Sequence, residues 1–369
     1  MTHSPAAPGQ PAPEPPAPEP PAPGQPALPQ EPVFGSWRGI FIFCLLAYGL
    51  AWLVVLPLWL NYDLFFGLDS PAGQLANTDP EAPPTREALV AGLVPLVLLS
   101  LMMLTPALSA LFVMRTVEKV PVRQTFAALG AGSLRCPDGS RANHNGRQHP
   151  FVRVLLFSFL AVGLAFILVV IAGLVAPLLG GFEPDWQMTA VREQMAEAGL
   201  ALPLVLLVLL QIVQVVIGAF IPNGVLALGE ELGWRGYLTA ALRRRGMGTV
   251  AMIIVSGAIW GAWHAPVLLL GHNFDTRSPI SIPVMMAGCI CFGAVLTWLR
   301  EISGSIWPAA IGHGAFNAAA SISIMIAVDA AWDRPIIANP LGVSGWIVVG
   351  PAAVILFLIT GRHSRTHAA

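Results

Sequence analysis

VLLFSFLAVGLAFILVVIAGLVAPLL, the stretch from Val154 to Leu179, runs for 26 residues without one charged side chain. A helix needs about 20 predominantly apolar residues to cross the hydrocarbon core of a bilayer. There every backbone N–H and C=O must find its partner within the segment, so such a run is read as a transmembrane helix. Working outward from this stretch, which sits in the candidate span 152–179, seven further apolar runs occupy 39–60, 88–114, 201–229, 249–270, 280–299, 305–328 and 341–360. The expected fold is therefore all-α, a polytopic membrane helix bundle of about eight transmembrane helices. Composition agrees: 55 % of residues are hydrophobic, only 11 % are charged, and the mean hydropathy is +0.70. A soluble domain would carry roughly 25 % charged residues. The net charge of −1 offers no basic face for nucleic acid, so the expected partner is the lipid bilayer. Four cysteines, Cys44, Cys136, Cys289 and Cys291, make no zinc spacing and read as small hydrophobes.

The connections alternate in charge. Loop 61–87 is acidic, with Asp63, Asp69, Asp79, Glu81 and Glu87 against Arg86. Loop 115–153 is basic, 180–200 is acidic again, and the triple Arg243-Arg244-Arg245 follows. With both termini inside, the inner side receives 15 of the 19 basic residues, leaving Arg86, Arg192, Arg277 and Arg334 outside. The positive-inside rule thus predicts an even number of spans in the plasma membrane with both termini cytoplasmic. Residues 1–37 read as a disordered cytoplasmic tail, because 1–34 hold 13 prolines and no Lys or Arg. No signal peptide is expected at the start. The transmembrane domain is expected over 38–361, with 115–153 as a flexible cytoplasmic loop, and 362–369 as a short basic tail. Residues 200–245 are about twice the length of one span, and Pro222-Asn223-Gly224 could break them, so a long tilted or broken helix is expected there.

Charged groups inside membrane segments are expensive and mark function. Here they fall in three neighbouring segments. In Gly229-Glu230-Glu231-Leu232-Gly233-Trp234-Arg235, Glu231 and Arg235 are four apart and can pair on one helix face. Glu230 points about 100° away, without that partner, free to face a cavity. A carboxylate in an apolar surrounding suits a general base. In Trp260-Gly261-Ala262-Trp263-His264, Trp260 and His264 share a face, as do His313 and Asn317 in His313-Gly314-Ala315-Phe316-Asn317. At 1.5 Å per residue, Glu230 lies about 20 Å above Arg243, His264 about 22 Å above Thr249, and His313 about 14 Å above Gly304. Groups at similar depth can meet, and Gly261, Gly312 and Gly314 let helices approach. One glutamate with two histidines can activate water, directly or through zinc. The second imidazole, with Asn317, can donate to the oxyanion of an attacked amide. No HExxH helix, serine GxSG motif or paired-aspartate pattern offers another peptidase plan.

Glu230-Glu231-x-x-x-Arg235, Trp260-x-x-x-His264 and His313-x-x-x-Asn317, with 34 residues from Glu230 to His264, resemble the CAAX protease and bacteriocin-processing (CPBP, Abi) family of intramembrane endopeptidases. GWRGYL after the glutamates and WHAP around His264 also read like the family. The motifs cover 220–320. The resemblance implies that Glu230 is the catalytic glutamate and that His264 helps it activate water. It also implies that His313 and Asn317 stabilise the oxyanion while Glu231 and Arg235 hold the site together. Trp260 stands where Phe is common in the family, and either supplies an aromatic wall. Glu230, His264 and His313 suffice as zinc ligands of a metalloprotease and equally suffice for metal-free, glutamate-dependent hydrolysis; both alternatives stay open. The expected substrate is a short peptide or a membrane-associated protein tail, cleaved near the inner face. Two readings compete with peptide hydrolysis: a non-catalytic membrane scaffold or bacteriocin-immunity protein of the same fold, and a proton-coupled transporter. The lack of an internal repeat argues against the second.

Overall fold

The computed structural model describes residues 33–66, 86–132 and 150–366. The Pro-rich tail up to residue 32, much of the acidic and basic loops, and residues 367–369 lie outside these. Within the described residues the chain is a bundle of helices with no strand, only one isolated bridge from Pro184 to Ala327. The principal helices are α1 (Trp37–Leu60), α2 (Arg86–Thr116), α3 (Pro150–Val175), α4 (Leu204–Phe220), α5 (Asn223–Arg244), α6 (Thr249–Trp263), α7 (Ser281–Ser303), α8 (Trp307–Ala319) and α9 (Val343–Thr366).

Six of the eight expected runs are single helical segments long and apolar enough to cross a membrane. A seventh, 201–229, is a pair: α4 and α5 bend by 42° at Ile221-Pro222, at the predicted break. Since 42° is far from a reversal, α5 continues the traverse that α4 begins. The run 249–270 departs from expectation. Its α-helix, α6, has only 15 residues and ends at Trp263, so among the described residues six helices are long and apolar enough to cross a membrane, or seven with the bent pair. The physical reason is Pro266, which lacks the N–H that would bond the Ala262 carbonyl; the ladder breaks at His264, and Pro266 sits at the start of a separate four-residue helix, Ala265–Leu268.

Burial separates the helices by role. In the most apolar window of α7, 67 % of residues are buried, against 28 % in the segment containing α9. So α7 is a core helix, and α9 mostly faces outward. Leucines, valines and isoleucines such as Leu53, Leu93, Ile167, Leu209 and Ile355 form an exposed apolar exterior, as a lipid-facing surface requires. Inside, α6 packs along α7, and α8 packs on α3 and both halves of the bent pair. These contacts depend on glycine. A Cβ at Gly257 would stand 2.6 Å from Ile290 Cα, and one at Gly314 would stand 2.5 Å from Gly224 N. Backbone therefore meets backbone at both crossings.

At its start α1 is capped by Ser36, whose Oγ accepts from Gly39 N at 2.9 Å. Ser36 N and Oγ in turn donate to Glu118 Oε1, as does Tyr237 of α5. The first turn of α1 is thus tied to the helix that carries both glutamates.

Gly257→Val forces a branched side chain into the Ile290 backbone. Overpacking of this kind costs about 1–3 kcal/mol, so the midpoint of thermal unfolding in detergent should fall while helical content at low temperature stays unchanged.

Candidate active site

Glu230 and Glu231 end the α-helical first part of α5; the chain then passes through a π-helical stretch, Leu232–Leu238, before resuming as α-helix. Such widened turns concentrate at functional sites. Every residue of this stretch is buried. Arg235 Nη1 donates to Glu231 Oε1 at 2.9 Å, the expected i,i+4 pair. His313 of α8 brings its Nδ1 to the same oxygen, also at 2.9 Å. All three side chains are buried, Glu231 completely. The other oxygen of Glu231, Oε2, is enclosed without a hydrogen-bond partner. Above the pair, the Arg235 guanidinium lies 4.2 Å from the ring centre of Trp260, a cation–π contact in a desolvated place. Arg235 Nη2 occupies the space beside Gly293 of α7 that any Cβ there would claim.

Glu230 differs from expectation. Rather than lacking a partner, its Oε2 accepts from the indole Nε1 of Trp260 at 2.7 Å and, more weakly, of Trp234 at 3.4 Å. Both bonds fall on one oxygen, and the side chain is otherwise buried at 2 % exposure. His264 follows the last residue of α6, half-buried, with Nδ1 3.0 Å from the carbonyl oxygen of Trp260. A carbonyl only accepts, so Nδ1 carries the hydrogen and Nε2 keeps its lone pair. His313 packs edge-on against Trp260, ring centres 5.2 Å apart, and against Phe292 at 5.9 Å.

Five of the six expected site residues thus gather around Trp260: Glu230, Glu231, Arg235, His264 and His313. Asn317, one turn beyond His313 on α8, is exposed and lies outside the buried cluster. Among the described residues no group of three or more His, Cys, Asp or Glu side chains is placed to hold a metal ion. Sequence reasoning missed Trp234 and the donor role of Trp260. The signal was present, since Trp234 is four residues from Glu230 and an indole N–H can only donate.

Residues 201–319 match the family model described as type II CAAX prenyl endopeptidase Rce1-like. This segment is Rce1-like. It runs from just before α4 to the end of α8 and contains all six candidate residues. The resemblance to the CAAX protease family therefore holds over the part of the chain that builds the site, and the apolar helices indicate a multi-pass membrane protein. No curated protein and no solved structure matches the chain.

Arg235→Met would leave the Glu231 charge to His313 alone inside the bundle. Breaking a buried pair from one side costs about 3–5 kcal/mol. Unfolding in detergent should show that loss, and the double replacement Glu231→Leu with Arg235→Met should recover most of it.

Proposed function

We propose that the protein is an intramembrane endopeptidase that hydrolyses a peptide bond with water activated by Glu230 and His264. The observation that carries this reading is the state of Glu230. It is a buried carboxylate pinned at Oε2 by the indole of Trp260, with no hydrogen bond at Oε1, and the same Trp260 meets His264 through its carbonyl and His313 through its ring. A water between Glu230 Oε1 and the lone pair of His264 Nε2 would be oriented by both. Glu230 takes its proton as the oxygen attacks the scissile carbonyl carbon, then passes that proton to the leaving amine nitrogen, giving a carboxylic acid and an amine. The negative charge that develops on the carbonyl oxygen is met by His313. Glu231 behind its Nδ1 holds the ring and stabilises an imidazolium whose Nε2–H donates forward. Asn317, on the exposed flank of α8, serves as a second donor once substrate arrives. Arg235 takes no part in proton transfer; it balances Glu231 and presses on the face of Trp260.

The substrate is a short peptide or the tail of a membrane-associated protein. By the positive-inside rule the end of the bundle bearing Arg153, Arg243 and Arg300 faces the cytoplasm, in a plasma membrane with both termini on that side.

The test is cleavage of a library of short membrane-type peptides by the detergent-purified protein. Glu230→Gln should lower turnover by about 10²–10⁴-fold, the usual worth of a general base, with unfolding behaviour retained. Trp260→Phe keeps the aromatic face and loses only the indole donor, so turnover should fall about tenfold, the scale of one hydrogen bond to a charged group. A well-folded wild type that cleaves nothing, or a Glu230→Gln variant as active as wild type, would favour the scaffold reading instead.

A further inference from the structure

Of the 17 residues of α4 only Leu207, Val215 and Ala219 are buried, yet this otherwise apolar helix carries two glutamines. Gln214 is exposed and Gln211 is half-buried. Neither side chain hydrogen-bonds another described residue. In the hydrocarbon of a bilayer no water is at hand, and an amide left without a partner is costly. Two unmet amides on a lipid-facing helix mark a surface that another polar chain covers.

Gln211, Gln214 and Gly218 stand at i, i+3 and i+7 and form one strip of α4. At one end the strip borders a cavity of about 330 Å³. Gln211 lines it, with Phe166 and Val170 of α3, Ile212 of α4, and Ile322 and Met325 just beyond α8. At the other end, a Cβ on Gly218 would stand 3.2 Å from Ala318 Cβ of α8 and 3.3 Å from Nδ2 of Asn223, the first residue of α5. The half-buried Asn223 amide likewise bonds no other described residue. Ala318 follows Asn317, the exposed residue one turn beyond His313. The strip therefore leads from the cavity to the flank of α8 that carries Asn317.

A primary amide offers one acceptor and two donors, the complement of the N–H and C=O groups of an extended backbone. An acyl chain has no such groups, and a helix keeps its own bonded within itself. From Gln211 to Gly218, and again from Asn223 to Glu230, is about 10 Å at 1.5 Å per residue. An extended chain rises about 3.3 Å per residue, so about six residues reach from Glu230 to the cavity. We propose that this strip holds the substrate's chain: an apolar, membrane-embedded segment that has unwound, lying extended along Gln211, Gln214 and Asn223, with one apolar side chain in the cavity. The inference rests on the peptidase reading for what lies at the end of the strip, and it narrows the substrate to a segment that enters from the lipid.

Binding is measured on the full-length protein in lipid nanodiscs, carrying Glu230→Gln so that nothing is cut. The probes are two labelled leucine–alanine peptides of about 20 residues, long enough to span. One is continuous, and the other is opened at its centre by a Gly-Pro pair. The opened peptide should bind about fivefold more tightly or better, since it gains two or more backbone hydrogen bonds. Gln214→Leu should weaken it about two- to tenfold, the scale of one such bond, and Asn223→Ala should do the same. In a scan of single N-methyl groups along the opened segment, at least one position should weaken binding to the parent protein and leave binding to the Gln214→Leu protein unchanged, which a merely structural glutamine would not produce. Equal binding of the two peptides, binding of neither, or unchanged affinity in a folded Gln214→Leu protein would overturn the proposal. Loss of a dimer in that variant, with peptide affinity unchanged, would assign the glutamines to a contact between copies instead. Cleavage assays with Glu230 restored separate the two readings. Binding that follows the glutamines without any cleavage would overturn the peptidase alone, and cleavage indifferent to Gln211 and Gln214 would overturn only the strip.

Discussion

Glu231 has no exposed surface, and one oxygen of its carboxylate is shared by Arg235 and His313, each at 2.9 Å. Taking such charges out of water costs several kcal/mol per ion, and mutual attraction repays this only when geometry is good and further hydrogen bonds are made. The arrangement of the central helices follows from that requirement. Arg235 comes from the π-helical stretch of α5, His313 from α8, and the aromatic face covering Arg235 from α6. Sliding α5 or α8 along its axis by one turn would part Glu231 from His313, and sliding α6 would uncover Arg235. The pairing therefore fixes register among helices whose outer, apolar surfaces specify none.

Close approach makes the pairing possible. Gly314 lets α8 run against Gly224, and Gly257 and Gly261 let α6 run against Ile290 and Met286 of α7. Gly293 leaves the space that Arg235 fills. The π-helical stretch adds width to the turn after Glu231, so the tryptophan and arginine of the GWRG run reach different neighbours. Trp234 turns toward Glu230, and Arg235 toward Glu231. In membrane interiors, where burial of apolar surface gives no drive for one helix to choose another, small residues and polar pairs carry that choice. The glycines and the Glu231 cluster are those two devices in one place.

The parts legible in the sequence are those that depend on local spacing or run length. The spans needed only a count of apolar residues, and the Glu231–Arg235 pair needed only the i,i+4 rule. The kink between α4 and α5 was announced by Pro222. The early end of α6 was signalled by Pro266, but the apolar run continues past it, and hydropathy alone gave a full span. What escaped depends on neighbours distant in sequence. Asn317 shares a face with His313, yet which part of that face is covered depends on α3, α4 and α5, so its exposure could not be read from α8. The partner of Glu230 escaped for another reason: tryptophan was counted as apolar wall, although its N–H is a donor that a buried indole normally uses.

Trp260 shows why that omission matters. Its Nε1 holds Glu230, its carbonyl holds His264, its ring covers Arg235, and its edge meets His313. A phenylalanine, common at this position in the resembled family, would keep the last three contacts, since they use the backbone or the ring. Only the bond to Glu230 requires tryptophan. Without it, the carboxylate would keep only the 3.4 Å contact to Trp234, too long to orient it. One side chain thus joins two sub-clusters of different character. Glu231 accepts from Arg235 and from His313, and the guanidinium answers its charge. Glu230 accepts from two indole N–H groups, and His264 Nδ1 donates to a backbone carbonyl. The first carboxylate tolerates burial because it is paired with a cation, whereas Glu230 is held by neutral donors, and the indole of Trp260 supplies that positioning.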